Sequence, residues 1–147
     1  MSNNKTLGWR EWIELPDLGI SSIKAKVDTG ARSSCLHAFE LDVITRDDQE
    51  WARFKVHPLQ ANNEQVVSCE ARILDRRQVR DSGGHSEERI VISTTLRIGE
   101  WEDKIEMTLT ARDNMRFRML MGRTSITRGG FKVDPSRSYL QGIKSLN

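Results

Sequence analysis

Asp28, Thr29 and Gly30 close a strand-like run, Ile20 to Val27, and an Asp-Thr-Gly turn can set a carboxylate to work on water. That chemistry needs two carboxyl groups a few ångströms apart. Two acids that close cannot both ionise, so they share a proton: one takes a proton from water while the other gives its own away. A lone carboxylate titrates near about 3.9 and is a poor base, and no acid, at neutral pH. The chain contains one Asp-Thr-Gly. The second carboxylate must therefore come from another copy, the same loop facing itself across a two-fold axis. The competing reading is an ordinary turn, with Asp opening it and Gly supplying a positive φ.

The elements around the tripeptide favour the chemical reading. In the run before it, Ile23, Ala25 and Val27 fall on one face and Lys24 and Lys26 on the other, so the turn ends a half-buried strand. Ala31 to Ser34 is small and polar, and a further strand pattern begins at Phe39. Other short alternating runs span Trp9 to Leu15, Phe39 to Ile44, Trp51 to Val56, Val66 to Leu74, Ile90 to Ile98, Lys104 to Thr110 and Arg118 to Met121. Pro16-Asp17, Asp47-Asp48, Asn62-Asn63 and Gly83-Gly84 punctuate them. A helical turn or two is expected at Thr124 to Arg128. The pattern predicts an all-β barrel or sandwich with one short C-terminal helix, frayed over residues 1–6 and single-domain over 7–147.

Late in the chain, Met119-Leu120-Met121 is an apolar run leading into Gly122-Arg123 and the predicted helical turn. An Asp-Thr-Gly-Ala loop followed by two apolar residues, Gly-Arg and a short helix resembles the retropepsin family of homodimeric aspartic proteases. Arg80 to His85, with Gly83 and Gly84, resembles that family's glycine-rich flap, and Ile90 to Leu96 its returning strand. A closer resemblance, running nearly end to end, is to the bacterial retropepsin-like branch known as ATP-dependent zinc proteases. It rests on Ile23 to Arg32, Val56-His57-Pro58, Phe117 to Arg123, Val133-Asp134-Pro135 and Ser138-Tyr139-Leu140.

The resemblance implies an acid-protease barrel and a homodimeric peptidase with Asp28, Thr29 and Gly30 catalytic. Thr29 would brace the loop across the dimer axis, and Gly30 would let the loops approach. Gly83, Gly84 and His85 would form the flap over the substrate. Ala31, Leu120, Met121, Gly122 and Arg123 would support the loop from beneath. Members of the branch occur with enzymes that add glutamates to a ribosomal protein, which implies glutamate-rich protein tails as substrate. In retroviral members an acid follows Asp-Thr-Gly-Ala and pairs with the Arg of Gly-Arg. Arg32 occupies that place here, which leaves the partner of Arg123 open. Asp47 to Ser68 reads as the main insertion relative to the shortest members. A retropepsin-fold binding module without turnover is the rival from another class.

Charge is unevenly placed. Residues 112–147 carry eight Lys or Arg against two acids, and 16 of the chain's 23 basic residues are Arg. The plain reading is a solvated basic face; the sharper one is that Arg112, Arg116, Arg118 and Arg123, near the apolar-Gly-Arg segment, offer guanidinium forks to acidic substrates. Nucleic acid is the weaker competitor, because the interleaved aromatics of single-strand binders are lacking. Cys35, His37, His57 and Cys69 are the zinc-capable side chains, and the basis of a zinc-dependent alternative, but their spacing matches no knuckle and no His-Glu-x-x-His occurs. A Cys35–Cys69 disulfide is the other pairing to weigh; two reduced thiols are expected of a cytoplasmic protein. No phosphate-binding glycine loop is present, so no cofactor is expected. No apolar run reaches membrane-spanning length, so the chain reads as soluble and without a membrane partner.

Overall fold

A computed structural model describes residues 5–59, 64–80, 83–111 and 117–142. The strands are β1 Thr6–Leu7, β2 Arg10–Leu15, β3 Ile20–Val27, β4 Ser34–His37, β5 Phe39–Arg46 and β6 Gln49–Val56. They continue with β7 Val67–Arg80, β8 Ser86–Ile98, β9 Trp101–Thr110, β10 Met119–Met121 and β11 Lys132–Val133. One α-helix, α1, spans Arg123–Arg128. The expected all-β barrel with a short C-terminal helix is the observed fold. Strand β4 is absent from the alternating runs because Ser34–His37 has no alternation to read: all four of its residues are buried. Thr6 opens β1 where the sequence placed the end of a frayed terminus.

The main sheet runs β2-β3-β10-β4-β9-β8, and Glu14 of β2 pairs back to Arg97 of β8. Six strands thereby form a closed ring, which removes the unpaired edges that an open sheet would present. Its inside is apolar: Ile13, Leu15, Ile23, Ala25, Leu36, Ile92, Leu96, Met107, Met119 and Met121 are buried in one cluster. From β8 the sheet continues outward as β7, β6 and β5, an antiparallel meander. The segment read as an insertion, Asp47 to Ser68, is mostly this meander: the turn after β5, all of β6 and the approach to β7, with residues 60–63 outside the described ones. Its inward residues Ala52, Phe54, Val56, Cys69 and Ala71 join the same core.

The two ends of the chain are fastened to each other. β1 pairs in parallel with β11, and the N–H groups of Trp9 and Tyr139 bond the carbonyls of Arg137 and Arg10 at 2.8 and 3.0 Å. Glu11, fully buried, is the centre of this strap. Its carboxylate accepts from the N–H groups of Gly8 (2.7 Å), Leu140 (2.9 Å) and Gln141 (3.0 Å). A buried carboxylate is tolerable only when donors replace its lost water, and here three backbone amides do so.

Two outcomes follow. Glu11→Gln keeps the shape but points an amide N–H at a backbone N–H; it should lower unfolding free energy by about 1–3 kcal/mol, measured by urea titration. Asp17 accepts from the Thr95 hydroxyl at 2.6 Å and the Thr95 N–H at 3.0 Å, and these bonds, the hydroxyl foremost, hold its pKa below the ordinary 3.8. A depressed carboxylate adds stability above its unfolded pKa and loses it as pH falls through the folded one. The melting-temperature advantage of wild type over Asp17→Asn should therefore be present at pH 6 and close as pH falls below 3.8.

Candidate active site

The loop after β3 is held from behind by β10 and α1. β10 lies between β3, to which it pairs in parallel (Met121 opposite Val27), and β4, to which it pairs antiparallel (Leu120 opposite Cys35). The Met121 carbonyl accepts the Asp28 N–H at 2.9 Å, and the Ala31 N–H closes the turn on the Asp28 carbonyl at 3.2 Å. The first N–H groups of a helix have no partner within it. Here the N–H groups of Arg123 and Thr124 bond the loop carbonyls of Ala31 (2.7 Å) and Arg32 (3.0 Å). The Arg123 guanidinium, whose partner the sequence left open, donates from Nη1 to the Thr29 carbonyl at 3.1 Å.

Gly122 is where these contacts converge. Its N–H donates to Ser34 Oγ at 3.0 Å, and Ser34 Oγ lies 2.8 Å from Ser125 Oγ, all buried. A Cβ at Gly122 would overlap the Ser33 carbonyl, so the closeness of the two loops requires glycine. Neither Ser34 nor Ser125 was picked out in the sequence, since their meeting depends on β4 and α1 being neighbours. In front, Asp28 is half-buried, with Oδ1 accepting the Gly30 N–H at 3.0 Å, while Thr29 and Gly30 are exposed. The loop is rigid on one side and open on the other. Of the residues expected to support it, Met121 and Gly122 are buried beneath, whereas Leu120 is half-buried on the opposite face.

The flap-like segment is the far end of the β7–β8 hairpin, which pairs from Ile73–Ile92 out to Arg80–Ser86. Gly83, Gly84 and His85 sit exposed at its tip, Gly84 with a φ of 86°. Asp81 and Ser82, like Arg112 and Arg116, lie outside the described residues.

The zinc-capable side chains do not gather. Cys35 and His37 do share a face of β4, opposite Thr108 and Thr110. Cys69, on β7, points into the core, where its thiol donates to the Leu18 carbonyl at 3.4 Å and burial pushes its pKa up to about 12; a metal would need the thiolate. His57 stacks on Phe39 with ring centroids 4.2 Å apart and lies 3.3 Å from the Gln65 carbonyl. No three His, Cys, Asp or Glu side chains among the described residues converge as a metal site, and both cysteines are free thiols. The topology does not bring these four side chains, chosen by type alone, together among the described residues.

A charged group the sequence did not single out stands out instead. Arg89 of β8 has a side chain only 10% exposed; its Nε donates to Glu87 Oε1 at 2.6 Å and its Nη1 to Cys35 Sγ at 3.5 Å. The Thr110 hydroxyl donates to the same Glu87 oxygen at 3.1 Å. No helix among the described residues is long and apolar enough to cross a membrane.

A solved structure of a Legionella pneumophila protein of unknown function superposes with a TM-score of 0.77 at 26% identity, covering 93% of this chain and 98% of that one. Proteins named probable alpha-L-glutamate ligase, from Shewanella pealeana and Parasynechococcus marenigrum, are 41% and 44% identical over 98% and 97% of this chain. The chain spans only 31% and 30% of their length. Residues 6–144 match the family described as retropepsin-like aspartic endopeptidase RimB. The chain belongs to the RimB-like family of retropepsin-like aspartic endopeptidases.

Proposed function

We propose that two copies of the chain form an aspartic peptidase acting on acidic, glutamate-extended protein tails. The observation that carries this reading is the asymmetry of the Asp28 loop. Its backbone is locked from behind by Met121, Arg123 and Thr124, while Thr29 and Gly30 are exposed. Such a loop can face its own copy without rearranging. The paired Asp28 carboxyls would share one proton. The ionised member takes a proton from water as the water oxygen bonds to the peptide carbon, and the other gives its proton to the carbonyl oxygen. The neutral diol then collapses. The first carboxyl returns its proton to the departing nitrogen as the C–N bond breaks, and a diol hydroxyl reprotonates the second. The β7–β8 hairpin tip would close over the substrate and exclude water.

Two features support an acidic substrate. Arg32 and Arg123 flank the loop, and Arg is the side chain suited to gripping carboxylates. In addition, a domain like this one makes up about 31% of proteins named for glutamate ligation; trimming what a ligase adds is a coherent use for a peptidase.

Asp28→Asn should lower hydrolysis of a glutamate-tailed peptide, followed by mass spectrometry, by about a hundred- to ten-thousand-fold with the melting temperature retained. Equal product from both proteins would defeat the enzyme reading. Because each site needs two chains, specific activity should fall on dilution through the dimer dissociation range. A tethered dimer of one wild-type and one Asp28→Asn subunit should be as impaired as the double variant; full activity from it, or from a monomer shown by light scattering, would refute the shared dyad.

A further inference from the structure

Directly paired strand residues share a face of the sheet, and so do residues two apart on one strand. Cys35 pairs with Leu120 on one side and Thr108 on the other, and Thr108 pairs with Val91. Leu120 also pairs with Lys26, two residues before Asp28. Cys35, Leu120, Thr108, Thr110, Val91 and Arg89 therefore line one continuous wall. It is opposite to Leu36, Met107, Met119 and Ile92, which fill the barrel. The wall begins where the Asp28 loop leaves β3 and ends on β8 below the hairpin tip. Cys35, Thr108, Thr110 and Val91 are all buried on this side away from the barrel interior. From β3 to β4, where the Arg89 guanidinium meets Cys35, is two strand spacings, about 10 Å, the length of about three extended residues.

On that wall Arg89 is incompletely engaged. A guanidinium carries five N–H donors. The described contacts use one on Nε, to Glu87, and one on Nη1, to a weak thiol acceptor; Nη2 has no acceptor among the described residues. A cation that is nine-tenths buried with donors to spare gains when a ligand supplies the missing acceptors. Glu87 occupies the Nε edge, which leaves the Nη1–Nη2 end, the geometry that grips a carboxylate with two parallel bonds. Glu87 and Arg89 are two apart on one strand, and the pair is tied to β9 through the Thr110 hydroxyl and to β4 through Cys35. It orients the guanidinium.

Building on the peptidase reading, we infer that Arg89 is the specificity-determining residue of this wall and binds an acidic side chain of the substrate near the scissile bond. Binding separates this from catalysis. In the Asp28→Asn protein, fluorophore-labelled tetraglutamate and tetraglutamine peptides are compared by fluorescence anisotropy. Adding Arg89→Met should weaken tetraglutamate binding by about 10- to 100-fold and tetraglutamine binding by less than about threefold. Arg89→Lys, which keeps charge and stem, should fall between, and it carries the test if the Met variant melts early. Equal losses for both peptides, or none for either, would overturn the assignment. Cleavage of the same peptides by the wild-type protein is scored separately. Arg89-dependent selectivity without any cleavage keeps this inference and removes the peptidase reading; cleavage with Arg89-independent binding does the reverse.

Discussion

The backbone of β10 is the constraint on which the rest of the site depends. Three residues long, it lies between β3 and β4 and pairs with both at once, parallel on one side and antiparallel on the other. Its last carbonyl fixes the Asp28 N–H. The glycine that follows allows the chain to pass within contact of Ser33 and Ser34. The helix that starts there spends its first N–H groups on the loop carbonyls, which satisfies donors that any helix start leaves open. The position of one carboxylate is thus set by several backbone hydrogen bonds from two directions. A functional group on a loop needs that over-determination, because nothing in a loop's own sequence holds its geometry.

The barrel wall has two sides with different chemistry. The inner side is close-packed and apolar, and it accounts for why the ring of strands closes. The outer side of β10, β4, β9 and β8 is also largely buried, but it carries Cys35, His37, Thr108, Thr110, Glu87 and Arg89. Polar groups out of water cost free energy unless paired, and a protein accumulates them where they meet something other than its own core. That wall leads away from the Asp28 loop and ends on β8, one leg of the β7–β8 hairpin.

Stability and function draw on separate parts of the chain. The terminal strap, with Glu11 under three amide donors, fastens residues before β2 to residues after β11 and leaves the loop untouched. The outer meander of β5, β6 and β7 adds core through Ala52, Phe54 and Val56 and supports one leg of the hairpin. What the segment read as an insertion contributes is therefore a platform for the hairpin, built by continuing the sheet.

Much of this was legible in the residues themselves. Alternation located most of the strands, because a half-buried strand writes its two faces into the sequence with period two; Ile23, Ala25 and Val27 turned inward as read. The Asp-Thr-Gly and apolar-Gly-Arg motifs were visible because each is local: a strand end, a tight turn, a glycine where backbones touch. Strand β4 showed no alternation, since burial on both faces erases it. The partner of Arg123, the Ser34–Ser125 contact and the Arg89–Glu87–Cys35 group were invisible for a different reason. Their members come from the loop after β3, from β4, from β8 and from α1, and no spacing along the chain records which strands become neighbours. Residue type alone gathered Cys35, His37, His57 and Cys69 into one candidate set, and the sheet order separated them. The sequence by itself determined the strand faces and the two local motifs, the Asp-Thr-Gly turn and the apolar-Gly-Arg segment. The tertiary structure decided which side chains share the wall with Asp28, because strand order is fixed by the packing of the whole core and not by any single segment.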